Sequence, residues 1–385
     1  MLTAKKLSSL EDQLHEEAIA RTGLTDFGDP SYREGMRAML HAFDTDMELS
    51  NSGREFVYHF YFLGPLISRL YTEKGWAEHP EALDTPIKRP LIIVGPPRTG
   101  TTALHKLLSM DPQLQGLELW LGLMPIVRPA AGSPEMQAAY RLGDETVRMI
   151  HAHMPGLAPA HNYATDDVEM CKIAMSQSFM RTEIAALLPS YDRWYQEQDL
   201  RKSYRRYEKV LRLIGSGAPE RRWLLKDPYH MLELGALFDA FPDACILRTQ
   251  RDPLQFIPST CSVLYTIEAA FHGENARPEV IGPRESTIWR MALERAEAAR
   301  RKRPEQFFDV DHRKFTADPM GLLRSIYEKF DLPFTPEAEQ RFAGWIAASP
   351  TTALGPHKYG IEDWGITADQ IREIFRDYRE QYRYE

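Results

Sequence analysis

Arg98, Thr99, Gly100, Thr101 and Thr102 lie in a row between an apolar run, Leu91 to Val94, and a helical pattern beginning at Ala103. A guanidinium, three hydroxyls and a glycine in that setting suit an anion. In the order strand, small-residue loop, helix, the helix start aims its free backbone N–H groups into the loop. The helix dipole favours negative charge there as well. The stretch LIIVGPPRTGTTALHK misses the phosphate-loop pattern G-x-x-x-x-G-K-[ST] at one position. Gly95, Gly100 and Thr102 fit, but Thr101 stands where the lysine belongs, and the cation sits earlier, at Arg98. The missing lysine serves β- and γ-phosphates in ordinary nucleotide hydrolases, so this loop is expected to grip a different phosphate.

Residues 223–262 carry a second set. A short apolar run, Trp223 to Leu225, ends in Lys226, and a helical pattern follows with Met231, Leu234, Leu237 and Phe238 on one side. Pro242-Asp243 breaks it, and Ala244 to Leu247 reads as another buried strand. Arg251 comes just after that strand, and Ser259 eight positions later. A fixed guanidinium fork with a hydroxyl near a helix start is suited to a dianionic phosphate. In isolation Arg251 would more readily pair with Asp252 or cap a neighbour; the loop at 95–102 in the same chain favours the anion.

Together these segments resemble the sulfotransferases that use 3′-phosphoadenosine 5′-phosphosulfate (PAPS). In that family a Lys or Arg, a small hydroxyl residue, Gly and two Thr/Ser hold the 5′-phosphate and sulfonate. The resemblance assigns this role to Arg98, Thr99, Gly100, Thr101 and Thr102. It assigns the 3′-phosphate to Arg251 and Ser259, and the bridging oxygen and leaving phosphate to Lys226. It covers roughly residues 90–385. It implies in-line sulfuryl transfer to an acceptor hydroxyl, with 3′,5′-adenosine bisphosphate (PAP) as product; the absence of a basic excess makes a polyanionic glycan unattractive and favours a small, hydrophobic alcohol, phenol or lipid. No metal is needed where cations stabilise the charge, and no His/Asp cluster has metal spacing.

The base departs from the cytosolic branch, which carries Lys-x-His; here that position is Pro228. The string Lys226-Asp227-Pro228-Tyr229-His230 instead resembles a bacterial branch, which makes His230 the candidate base. Glu169, in Asp166-Asp167-Val168-Glu169, is the rival, with His161 just before it. A histidine with a near-neutral pKa suits proton abstraction. The plainer expectations are a helix cap for His230 and an exposed acid in a helical first turn for Glu169. The late Arg-Lys-Gly loop of cytosolic relatives is absent. In its region stands Gly355-Pro356-His357-Lys358-Tyr359, so Lys358 is a cofactor candidate by region only.

These residues need an α/β framework: a P-loop-like central parallel sheet flanked by helices, with the site at its carboxyl edge. The expected layout is a helical N-terminal extension over 1–85, then an α/β domain over 86–385. Helices are expected over 8–80, with Ser8/Ser9 as an N-cap, and around 134–150, 166–188, 198–215, 286–303, 319–330 and from 336. Residues 73–90 and 271–285 read as connections, and Phe307 to Val310 as a strand. Trp120, Met124, Met154, Tyr163, Phe179, Tyr191, Trp194 and Tyr195 could line an apolar acceptor site, although aromatic residues at helical spacing are more often core.

Composition narrows the class. The 385 residues carry 47 basic against 55 acidic side chains, a net charge of −8, which argues against a nucleic-acid partner. Three cysteines without a C-x-x-C string give neither a disulfide scaffold nor a structural zinc site. The first residues lack an apolar signal region, and no apolar run is long enough to span a membrane, so a cytoplasmic location is expected. Two other functions stay open: a small-molecule kinase, and an inactive nucleotide-binding relative. The oligomeric state is open too, a homodimer included.

Overall fold

The computed structural model describes residues 5–159, 161–180, 188–348 and 360–384. They group into two compact units. One takes Met1–Ile87, Leu117–Pro219 and Thr266–Ala276; the other takes Lys88–Gly116, Glu220–Tyr265 and Arg277–Glu385. The N-terminal segment, expected as an extension, thus shares its unit with residues 117–219 and 266–276.

The second unit holds the sheet. Its strands are β1 (Leu91–Val94), β2 (Leu114–Gln115), β3 (Arg222–Lys226), β4 (Cys245–Gln250) and β5 (Phe307–Asp311). The order is β2-β3-β1-β4-β5, with every pairing parallel. Leu91, Ile93, Leu224, Leu247 and Val310 pack with Leu104, Leu107, Leu323 and Ile326 from the flanking helices. Ile92, Leu225 and Ile246 are equally buried. A parallel sheet covered on both faces requires unbroken apolar runs, which is why LIIV and its partners were readable as strands.

Central β1 pairs with β3 on one side and with β4 on the other, so the carboxyl ends of these three parallel strands lie side by side at one edge of the sheet. Arg248 ties β4 to β5 with a two-pronged bond to Asp309, at 2.8 and 2.9 Å, and reaches Glu297 at 3.0 Å. Burial opposes its charge, but the Asp309 and Glu297 carboxylates more than offset this and hold the guanidinium ionised.

The other unit is helical. It contains Glu11–Thr22, Tyr32–Thr45, Asn51–Phe56, a π-helical stretch Val57–Leu63, Gly64–Glu78, Pro134–His153 and Arg201–Gly215. Several expectations need correction. Ser8 and Ser9 do not cap the first helix. They lie in a 3-10 turn whose Leu7 and Ser8 N–H groups are taken by the Asp44 carboxylate at 2.8 Å. Residues 166–171 are not helical: Val168 makes a β-bridge with Glu118, and helix begins only at Lys172. The connection at 73–90 is shorter, because helix runs to Glu78. The loop at 271–285 is shorter than expected: one helix runs to His272, two short 3-10 turns follow, and the next helix already starts at Ile281.

Candidate active site

β1 is followed at once by Gly95, whose φ of +147° no ordinary side chain adopts with ease. A Cβ there would stand 2.0 Å from Thr249 Oγ1 on β4. Only hydrogen fits, and the chain can pass close to its neighbour before turning. Thr99 fixes the turn: its hydroxyl donates to the Pro96 carbonyl at 2.6 Å and pairs with Thr249 Oγ1 at 2.5 Å. Arg98 takes a left-handed φ of 66°, and Gly100 one of 95°. Gly100 is the N-cap of the helix Thr101–Leu108, and no side chain caps that helix. A helix start without a side-chain cap has N–H groups able to meet an anion.

Two guanidiniums meet beside this loop. Arg98 donates from Nε to Ser259 Oγ at 3.0 Å, and Arg251 from Nη1 to the Arg98 carbonyl at 2.8 Å. Asp252 does not pair with Arg251. It accepts from Arg379 Nε at 3.1 Å and from the Leu254 N–H. Burial, and then the Arg251 charge, lower the Arg98 pKa; burial lowers that of Arg251. Two partly desolvated cations set side by side are stabilised by an anion, and a hydroxyl and a helix start face the same place.

Lys226 closes β3, opposite Ile93 of β1, and is only 2 % exposed. The carboxylate of Asp227 accepts from the Tyr229 N–H at 3.1 Å and so caps the 3-10 turn Pro228–Leu232. This cap belongs to Asp227, not to His230. His230 is buried within the turn, and burial lowers its pKa in spite of the Asp227 charge. At neutral pH the imidazole is uncharged and able to accept a proton.

Glu169 and His161 lie in the helical unit and bond to each other: His161 Nε2 is 3.1 Å from Glu169 Oε1. Glu169 is 3 % exposed and its N–H donates to the Leu117 carbonyl at 2.8 Å, so it is a buried acid beside a β-bridge rather than an exposed acid in a helical turn. Tyr163 packs edge-on against His161, with ring centres 4.4 Å apart. Tyr191 donates to the Phe179 carbonyl at 2.8 Å, and Phe179 stacks on Phe62; both belong to the core. Lys358 and His357 fall outside the described residues.

Two residues of the site escaped the sequence reading. Thr249 clamps Gly95 and Thr99; a buried hydroxyl residue inside an apolar strand was its only signal. His312 directly follows β5, at the same sheet edge as Arg251. Its Cδ2 is 3.4 Å from where a Cβ on Gly100 would stand. Burial, and then the Arg251 charge, push its pKa down to about 4. The rule that located Arg251, the first residues after a parallel strand, would have found it too. Among the described residues no group of His, Cys, Asp and Glu is placed to hold a metal.

The sheet edge thus combines a phosphate-type loop without its lysine, two guanidiniums beside it and a buried lysine at the end of the neighbouring strand. The chain belongs to the sulfotransferase family, which matches residues 90–336. The solved structure of sulfotransferase STF1 from Mycobacterium tuberculosis H37Rv superimposes with a TM-score of 0.84 at 34 % identity, covering 97 % of this chain and 100 % of that one. STF9 from Mycobacterium avium gives 0.85 at 28 % identity, covering 97 % of each. The omega-hydroxy-beta-dihydromenaquinone-9 sulfotransferase Stf3 of Mycobacterium bovis is 26 % identical over 301 residues, 75 % of this chain and 74 % of that protein. The protein is thus a sulfotransferase enzyme with bacterial relatives. No helix among the described residues is long and apolar enough to cross a membrane.

Proposed function

We propose that this sulfotransferase takes its sulfuryl group from PAPS and delivers it to a hydroxyl on a small hydrophobic acceptor. The observation that carries the donor is the meeting of Arg98, Arg251 and Ser259 beside an uncapped helix start, with the neighbouring carboxylate, Asp252, committed to Arg379. These groups fit a nucleotide with phosphates at both its 5′ and 3′ positions. The loop 98–102 would hold the 5′ end, and Arg251 with Ser259 the 3′-phosphate. When bound, PAPS supplies an activated sulfuryl group whose acceptance by an alcohol oxygen releases PAP.

The chain's own residues would then act as follows. Lys226, desolvated at the end of β3, neutralises charge that grows on the departing phosphate oxygen. His230 takes the proton from the acceptor hydroxyl as its oxygen bonds to sulfur and the sulfur–phosphate-oxygen bond breaks. Glu169, already linked to His161, is the second candidate for that proton. For the acceptor, the support is the relative named for an omega-hydroxylated dihydromenaquinone, a hydroxyl on a lipid, together with the acidic overall charge, which disfavours a polyanionic glycan.

The test is a calorimetric scan of PAP, 5′-AMP and ATP. PAP is expected to bind at least about tenfold more tightly than 5′-AMP, the scale of one charge-assisted phosphate contact. Equal affinities for PAP and 5′-AMP would remove the 3′-phosphate assignment, and preference for ATP would point to the kinase reading.

A further inference from the structure

The helical unit contains a cationic cavity. It has a volume of about 480 Å³ and lies between the helices Gly64–Glu78 and Arg201–Gly215, with residues 29–32 and 178–180 closing its sides. Its walls carry five cationic side chains against two acidic ones, an excess of three positive charges in a chain whose net charge is −8. None of these residues belongs to the anion site on the sheet.

The back wall is built, not incidental. Arg69 is 2 % exposed and donates to the carbonyls of Phe27, Asp29 and Gln177. Arg206 donates to Glu73 at 2.7 Å and to Gln177 Oε1 at 2.9 Å. Glu73 is also the carboxylate nearest Arg69, at 4.0 Å, so two desolvated guanidiniums share one carboxylate. Burial, and then the Arg206 charge, pull the Arg69 pKa down to about 9. Gln177 Nε2 adds a buried donor without an acceptor among the described residues. In a low-dielectric wall such excess positive charge projects into the cavity beside it.

The front is mobile in charge but fixed in spacing. Lys202, Arg205 and Lys209 follow one another at intervals of three and four residues on one helix, so they share a face. All three are exposed, and none enters an ion pair among the described residues. The hydroxyls of Ser31 and Ser178 lie on the same lining.

We propose that this cavity binds a phosphate monoester, its head among Lys202, Arg205 and Lys209 and its organic part in the remaining volume. A tetrahedral head accepts from a guanidinium fork and two ammonium groups at once. A phosphate monoester carries a charge near −2, against −1 for a carboxylate, and so offsets more of the excess. The cavity is far larger than a bare ion requires, which is why an ester is preferred to the inorganic anion. The ester could be a soluble metabolite or the headgroup of a lipid; the chemistry is shared.

The full chain is tested with PAP present in excess, so that the sheet-edge site is filled. One arm titrates glycerol 3-phosphate by calorimetry. The other measures co-sedimentation with phosphatidic acid–phosphatidylcholine vesicles against pure phosphatidylcholine. Saturable binding is expected in at least one arm, and that arm identifies the source. The double variant Lys202→Glu/Lys209→Glu should bind at least tenfold more weakly while its PAP affinity stays unchanged. Lys202→Gln/Lys209→Gln, which alters only exposed side chains, should show an intermediate loss. Absence of binding in both arms overturns the proposal. So does binding that both double variants retain in full.

Discussion

Arg98 Nε donates to Ser259 Oγ at 3.0 Å, so the loop after β1 and the helix after β4 are linked across the sheet edge. Arg251 reinforces the link through the Arg98 carbonyl. Two segments that the sequence places 161 residues apart are thus brought together.

Replacing Arg251 should therefore weaken PAP far more than 5′-AMP. Loss of a charge-assisted contact costs roughly 1.5–3 kcal/mol, or about 10- to 150-fold in affinity. Arg251→Ala is expected to lose that much for PAP and to leave 5′-AMP within about threefold. Ser259→Ala should cost less, since a neutral hydrogen bond is worth about 1 kcal/mol. Calorimetric titration of the three proteins with both nucleotides checks this. A uniform loss for both nucleotides in Arg251→Ala would show that Arg251 supports the loop rather than reading the 3′ position.

Gly95 is the position where the backbone leaves no room. Gly95→Ala would drive a Cβ to 2.0 Å from Thr249 Oγ1 at a φ of +147°. Either β1 shifts away from β4 or the threonine pair with Thr99 breaks. A destabilisation of about 2–4 kcal/mol is expected from strain in a packed core. Urea denaturation measures it. The double variant Gly95→Ala/Thr249→Ala should recover part of the loss, because it removes the colliding hydroxyl; no recovery would place the strain in the backbone alone.

What the sequence disclosed depended on how local the cause was. Strands β1, β3 and β4 were legible because a sheet buried on both faces demands apolar runs, and LIIV, WLL and CIL satisfy it. The placement of Arg98 and Arg251 at the sheet edge was legible because each stands four residues after such a run. The two-residue β2 was not, since its pairing with Arg222 and Trp223 is long-range and leaves no period to read. Residues 166–171 deceived for a similar reason. The acidic string suggests a helix start, but the partner of Val168 is Glu118, fifty residues earlier. The tie between His161 and Glu169 joins two rival bases into one pair, which spacing alone does not reveal.

His312 makes folding sensitive to acid. In the unfolded chain its pKa is near 6.5, and in the fold it is about 4. Below pH 6.5 the unfolded chain takes up a proton that the folded one refuses, so stability is full above that value and is lost as pH falls toward 4. Partial exposure to solvent limits the effect, and about 1 kcal/mol is expected between pH 7.5 and 5.5. His312→Asn should show a correspondingly smaller drop over that range in paired urea titrations. An unchanged pH slope would mean that the ring is as easily protonated in the fold as outside it.

Lys226 and His230 share a strand end and a turn but should fail differently. Lys226 is expected to act as charge develops on the leaving oxygen, so Lys226→Ala should lower kcat by about 10²-fold or more and change PAP affinity little. His230 is buried and uncharged at neutral pH, ready to accept a proton. His230→Ala should cost about 10²-fold in kcat with an aliphatic alcohol, the scale of a lost general base, and again spare PAP binding. With a phenol already ionised at the assay pH the same variant should lose much less, because no proton remains to be taken. That contrast separates a base from a residue that merely supports the turn, which would depress both acceptors equally. Glu169→Gln provides the opposing measurement. It keeps the size of a side chain that packs at 3 % exposure and keeps an acceptor oxygen for its neighbours, but removes the carboxylate next to His161. If Glu169→Gln abolishes turnover of the alcohol while His230→Ala retains it, the proton goes to the Glu169–His161 pair and His230 is a packing residue of the turn.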